Sequence, residues 1–304
     1  MKLLLAAAAA CATAGLTGAA PLDKRTNHLV DTDILNYALT LEHLEATFYR
    51  QGLQNFTVEQ FIEAGFDETF FTNIQTISSD EQTHVDFITK ALTDLGIAPV
   101  KECTYSFPVT DVKSFVTVSS ILEGVGTSAY LGAAASIMSK DVLTQAGSIL
   151  TVEARHSSLL RLALDQNPVA QPFDAPLSLN EVFTLAKPFI AACPPDNPVL
   201  DFLKDFPPLA LDPATPLPIK SGQEVTILTP GNLIVPEDGV SPLFAAWISV
   251  VGPTFVDAVP VDGGFKIQVP EGFNGQSYVV LTGCNTGVSD DTVAAGPALI
   301  EITN

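Results

Sequence analysis

Glu81-Gln82-Thr83-His84 and Glu153-Ala154-Arg155-His156 share one spelling, E-x-x-H. Residues i and i+3 of an α-helix lie on one face, so each stretch would aim a carboxylate and an imidazole at a single point. Alone, such a tetrapeptide is most simply surface charge on an amphipathic helix. A matched pair could enclose two metal ions, provided that two further helices each supply one carboxylate.

Apolar periodicity around these stretches predicts helices over Asp31 to Gln51, Val58 to Ala64, Phe70 to Leu95, Asp111 to Met138, Lys140 to Asn167 and Leu179 to Ala192. Asp31 or Thr32 is placed to cap the first, and Pro188 should break or bend the last. Four of these runs are long and joined by modest connections, the pattern of a four-helix bundle with satellite helices. One E-x-x-H lies in the second long helix and the other in the fourth.

After Asp111, the third long helix has a single acidic residue, Glu123, set in Ile121-Leu122-Glu123-Gly124-Val125-Gly126. A carboxylate in such company is costly to bury unless it is paired, protonated or bound to a cation. The first helix offers Glu42 and Glu45. Tyr49 follows Glu42 by seven residues, as Tyr130 follows Glu123. Seven residues make two turns and would return each hydroxyl to the face of its own glutamate. That repeat favours Glu42, with Glu45 the alternative, often no more than a surface charge. The expected metal ligands are Glu42, Glu81, His84, Glu123, Glu153 and His156, arranged as an internal repeat of helix pairs. His43, next to Glu42, points about 100° away and is expected to pack rather than ligate. Gly124, Gly126 and Gly132 each cost about 1 kcal/mol inside the third helix, which calls for close packing or for space beside a site.

With these residues in view, the segment Asp31-Thr32-Asp33-Ile34-Leu35-Asn36-Tyr37-Ala38-Leu39-Thr40-Leu41-Glu42-His43-Leu44-Glu45-Ala46-Thr47-Phe48-Tyr49 and the ligand set resemble the ferritin-like superfamily. More narrowly they resemble the secreted fungal ferritin-like proteins of stress response and sexual development, which are related to plant desiccation-related proteins. The resemblance covers roughly residues 30 to 200. It implies a bundle fold and a dinuclear iron or manganese site, and it carries over no established activity.

Lys2, the apolar run Leu3 to Ala10 and the small residues from Gly15 to Ala20 follow the pattern of a signal peptide, and Lys24-Arg25 could be a second processing site. Residues 1–25 are therefore expected to be a signal peptide and propeptide, and the mature protein to be secreted, extracellular or in the cell wall. Asn55-Phe56-Thr57 is an N-glycosylation pattern. Once Cys11 leaves with the signal peptide, Cys103, Cys193 and Cys284 remain; Cys103 with Cys193 is the favoured bridge, leaving Cys284 free or buried. With 34 acidic and 14 basic residues the net charge is −20, which repels phosphates and anionic surfaces. Neither nucleic acid nor membrane is an expected partner; metal ions and small oxidants are.

Prolines 207, 208, 213, 216 and 218 crowd the stretch after Phe206, so residues 206–220 read as a linker between a bundle over 26–205 and a second domain over 221–304. Beyond the linker, β-favouring runs appear at Glu224 to Leu228, Leu233 to Val235, Phe244 to Val250, Phe265 to Val269, Tyr278 to Leu281 and Leu299 to Ile302. The fold class expected is α+β multidomain, a four-helix bundle followed by a small β-sandwich-like domain without a catalytic motif. That second domain is the natural place to meet a cell-wall or protein partner. The function expected is oxidation of Fe(II), or turnover of peroxide or oxygen, in stress or development. The alternative is a non-catalytic secreted or wall-associated structural protein that retains the bundle.

Overall fold

The computed structural model describes residues 29–231, 233 and 243–304. The expected signal peptide and propeptide, and most of the strand expected from Leu233 to Val235, lie outside the described residues.

The helices are α1 (Asp31–Asn55), α2 (Val58–Glu63), α3 (Glu68–Asp94), α4 (Val112–Ala133), α5 (Lys140–Ala163) and α6 (Leu179–Ala186). Polar side chains set most of their starts. Asp67 accepts from the Phe70 N–H at 2.7 Å, and Asp111 from the Ser114 N–H at 2.8 Å. Helix α1 departs from expectation, because its cap is Val30, whose N–H donates to Asp33 at 3.0 Å. Asp31 instead accepts the N–H groups of Met138 and Ser139, at 2.7 and 2.9 Å, and so pins the start of α5 to the start of α1.

The helix expected to reach Ala192 ends at Ala186, because Pro188 disfavours the helical conformation of the residue before it and removes a donor. A 3-10 turn over Lys187–Phe189 leads into a strand that pairs with Thr104–Tyr105: these are β1 (Thr104–Tyr105) and β2 (Ile190–Ala192). The expected Cys103–Cys193 disulfide closes beside this ribbon. Cys284 is buried and bonded, so the free-thiol alternative is corrected: no described cysteine is free.

Helix α1 packs on α3, and α4 on α5. At one end of the bundle, Phe48 stacks on Phe115 with ring centroids 4.9 Å apart, and Gly52 admits the Phe115 ring where a Cβ would lie 2.1 Å from Cε2. The glycines of α4 each have their own reason. At Gly132 a Cβ would sit 1.8 Å from the Leu177 carbonyl oxygen, and at Gly124 it would sit 2.4 Å from the Gln276 side chain. Gly126 leaves room for carboxylates: a Cβ there would be 2.7 Å from Glu153 Oε2 and 2.9 Å from Glu45 Oε1.

The C-terminal half holds β3 (Ala210–Leu211), β4 (Glu224–Leu228), β5 (Phe244–Trp247), β6 (Thr254–Asp257), β7 (Val259–Val261), β8 (Gly264–Gln268), β9 (Gly275–Thr282) and β10 (Val293–Ile302). They form two four-stranded antiparallel sheets, ordered β3-β4-β8-β7 and β10-β9-β5-β6. Val225, Ile227 and Ile267 of the first meet Trp247, Val279, Leu281 and Ile300 of the second in a shared core. Strand β7 contains Pro260, tolerated because β7 is an edge. Strand β3 lies inside the stretch expected to be a linker; it pairs with β4, and Phe206 and Leu209 beside it are buried, so this stretch is packed rather than free.

Strand β9 is buried on both faces. Val279 and Leu281 enter the sandwich core, whereas Tyr278 enters the bundle core and donates its hydroxyl hydrogen bond to the Gly124 carbonyl at 3.0 Å. Arg161 of α5 binds Glu301 of β10 with two hydrogen bonds, at 2.9 and 2.7 Å. The sheet is thus seated on α4 and α5, beside the segments that carry Glu123 and Glu153.

Candidate metal centre

The expected six residues converge: Glu42 from α1, Glu81 and His84 from α3, Glu123 from α4, and Glu153 and His156 from α5, all buried. Their oxygen and nitrogen atoms fall into two overlapping groups, Glu42, Glu81, His84 and Glu153, and Glu81, Glu123, Glu153 and His156. Within each group the atoms lie within 4.8 Å of one another. Glu81 and Glu153 belong to both, the position of bridging carboxylates.

The contacts do not form an ordinary hydrogen-bond network. His84 Nδ1 lies 3.3 Å from Glu42 Oε2, 3.4 Å from Glu81 Oε2 and 3.5 Å from Glu153 Oε1. His156 Nδ1 lies 3.1 Å from Glu81 Oε1 and 3.2 Å from Glu123 Oε2. A ring nitrogen carries at most one proton, so it cannot serve three acceptors. Glu42 Oε2, both oxygens of Glu81 and of Glu153, and His84 Nδ1 are buried without a hydrogen-bond partner. Each such orphan costs about 1–3 kcal/mol, more when charged, and a cation among them removes that cost. The donor set, four carboxylates and two imidazoles, suits iron or manganese.

Both tyrosines meet the centre, but crosswise. Tyr49 donates to Glu123 Oε1 at 2.5 Å, and Tyr130 donates to Glu42 Oε1. The expectation that each hydroxyl serves its own helix's glutamate is corrected. Helices α1 and α4 run antiparallel, so two turns along one helix from its glutamate bring its tyrosine level with the other helix's glutamate. Each bond takes the carboxylate oxygen turned away from the histidine, leaving Oε2 of Glu42 and Glu123 for the centre. The pairings His84 with Glu153 and His156 with Glu81 set α3 and α5 antiparallel in the same way.

Asp80 belongs to this site and was not anticipated. Its Oδ2 lies 3.2 Å from His156 Nε2, fixing the ring from its outer side. The signal was faint because Asp80 is next to Glu81 and points to a different helix face. At the matching place before Glu153 stands Val152, so the two halves differ here. Glu45 is not a surface charge: only 4% exposed, it faces Gly126 beside Glu153 and belongs to neither ligand group. His43 contacts the Val100 carbonyl at 3.1 Å and packs away from the cluster, as expected.

Burial disfavours charge on both imidazoles, yet contacts with Glu42 and Glu81 raise His84 to about 10, and contacts with Glu123 and Glu81 raise His156 to about 10. Burial likewise raises the carboxyls of Glu81, Glu123 and Glu153. Without metal the cluster holds protons that an incoming cation must displace.

Residues 30–166 match the family described as ferritin-like domain. The chain is 24% identical, over 89% of its own length and 80% of the relative's, to Protein rds1 of Schizosaccharomyces pombe. A crystal structure of a conserved hypothetical protein from Mycobacterium tuberculosis covers 44% of this chain and 91% of that chain, at 18% identity and a TM-score of 0.37.

Proposed function

We propose, from the match of residues 30–166 to the ferritin-like domain family and the two ligand groups, that this chain holds a dinuclear iron or manganese centre and oxidises Fe(II) or turns over peroxide or oxygen there. The observation that carries the reading is the set of buried, partnerless ligand atoms in two groups that share Glu81 and Glu153. Glu42 and His84 would complete one site, and Glu123 and His156 the other. When bound, such metals supply redox equivalents and Lewis acidity at open coordination positions. The chain's own residues do the rest: Tyr49 and Tyr130 fix the outer carboxylates, Asp80 orients His156, and the apolar packing of the helices excludes water from the cluster.

The leader read from Lys2 to Ala20 supports secretion, and the Cys103–Cys193 disulfide suits an oxidising compartment. A role in stress or development rests on the resemblance alone.

The deciding experiment is metal analysis of the purified protein by mass spectrometry. About two metal atoms per chain are expected, falling to none or one in Glu81→Ala and in Glu123→Ala. A metal-free protein of unchanged stability would sink the proposal. Bound metal without ferroxidase, oxidase or catalase turnover would retain the centre and remove the catalysis.

A further inference from the structure

A cavity of about 260 Å³ lies between α1, α4, α6 and β10. Leu44, Val125, Leu185, Phe189 and Leu299 supply much of its wall, which is apolar except at one place, Glu45. Beside Glu45 the wall is Gly126, the missing Cβ that leaves Glu45 Oε1 and Glu153 Oε2 facing one point. The cavity therefore reaches Glu45 and the Gly126 backbone, next to Glu153 of the cluster.

Glu45 is the unexplained group of this cavity. It is 4% exposed, and among the described residues it has no hydrogen bond and no ion pair. A polar side chain this deeply placed normally finds a partner, and the cavity that Glu45 faces is where one can bind. The leucines and Phe189 demand an apolar body for the same occupant. Its volume holds about eight water-sized groups at roughly 30 Å³ each.

We propose that this cavity binds an uncharged aliphatic molecule of about seven to nine non-hydrogen atoms, its body among the leucines and a single hydroxyl or carbonyl end on the Glu45 carboxyl. Neutrality of the polar end follows from its surroundings. A carboxylate head would meet Glu45 and Glu153 at once, and an ammonium head, with three donors, would find a single polar side chain in an otherwise apolar wall. The β domain thereby gains a part in the site, because Leu299 of β10 closes one wall. That the occupant is a substrate rests on the metal-centre reading; that it binds does not.

The probe is 1-hexanol, titrated calorimetrically into the full-length protein as purified and again after metal removal, with hexanoate and hexylamine as charged counterparts. Saturable 1:1 binding of 1-hexanol in both forms, with at least tenfold weaker binding of the two charged compounds, is expected. Glu45→Leu, which keeps the bulk and removes the carboxyl, should weaken 1-hexanol at least tenfold and leave the metal content unchanged. Leu185→Trp should abolish binding by filling the space. The proposal is overturned if 1-hexanol fails to bind, if a charged counterpart binds better, or if Glu45→Leu binds it as tightly as the parent. Loss of metal in Glu45→Leu would also overturn it, by making Glu45 a ligand. Binding of 1-hexanol to a protein that never holds metal would keep this proposal and refute the metal centre, so the two failures are distinct.

Discussion

Single residues carry both the centre and its pH response. Tyr49 spends its hydroxyl on Glu123 in a dry site, so Tyr49→Phe should cost about 1–3 kcal/mol in urea unfolding, the deficit of a buried carboxylate oxygen left alone. Glu181, at the start of α6, titrates away from the metal ligands. Burial raises it to about 7, against the bonds from Ser178 that lower it. Its folded state holds the proton more tightly than the unfolded chain does, so its contribution is fully present below about pH 4.5 and lost as pH rises through 7. Urea unfolding at pH 5 and pH 8 should therefore show wild type losing up to roughly 3 kcal/mol more than Glu181→Gln, whose amide can keep the capping bond to Ser178. A variant with the same pH slope as wild type would contradict this. At this scale the E-x-x-H pairs and the lone Glu123 were legible in the amino-acid sequence. The crossing of the tyrosines was not, since it depends on the relative direction of α1 and α4, and a helical period carries no such information. Nor could periodicity reveal that Glu45 is buried, because it shares a polar spelling with true surface glutamates.

Elements were legible where their signals are local. The long helical periods around both E-x-x-H stretches, the break at Pro188 and the β-branched run of β4 each declare themselves within a few residues. The short strands β3, β6 and β7 did not, because pairing rather than composition makes them strands, and β3 and β7 lie in or hold proline sequence. The third helix posed the sharper puzzle of three interior glycines, whose roles separate only when their neighbours are known. Gly132→Ala drives a methyl into the Leu177 backbone and should lower stability by about 3 kcal/mol. Gly147 of α5 has nothing within 4 Å of its would-be Cβ, so Gly147→Ala should raise stability by up to about 1 kcal/mol. Thermal melting of the two variants, moving in opposite directions from wild type, checks both.

For the whole molecule, the decisive feature is that the bundle and the sandwich share a core through β9, although the proline-rich stretch between them suggested separable parts. Arg161 is 7% exposed, and its guanidinium is matched by Glu301. Glu301→Ala should cost about 3 kcal/mol by taking both carboxylate bonds from that buried charge and leaving it the Asn167 carbonyl, and Arg161→Leu in the same chain should restore much of the loss. Calorimetry should show one cooperative transition; two well-separated ones would mean that the seam is weak. The crossed tyrosine bonds carry a different lesson, about minimal construction. Each helix pair lends a hydroxyl to the other and borrows one back, so neither pair is self-sufficient, yet the loans are equal. A hairpin spanning residues 31–95, placed against its own copy about a twofold axis, would reproduce two glutamates, two E-x-x-H faces and both tyrosine bridges. In its six ligands and two tyrosines the centre has the symmetry of a homodimer folded into a single chain, and the chain departs from that symmetry where Val152 answers Asp80 and Gly126 answers Glu45.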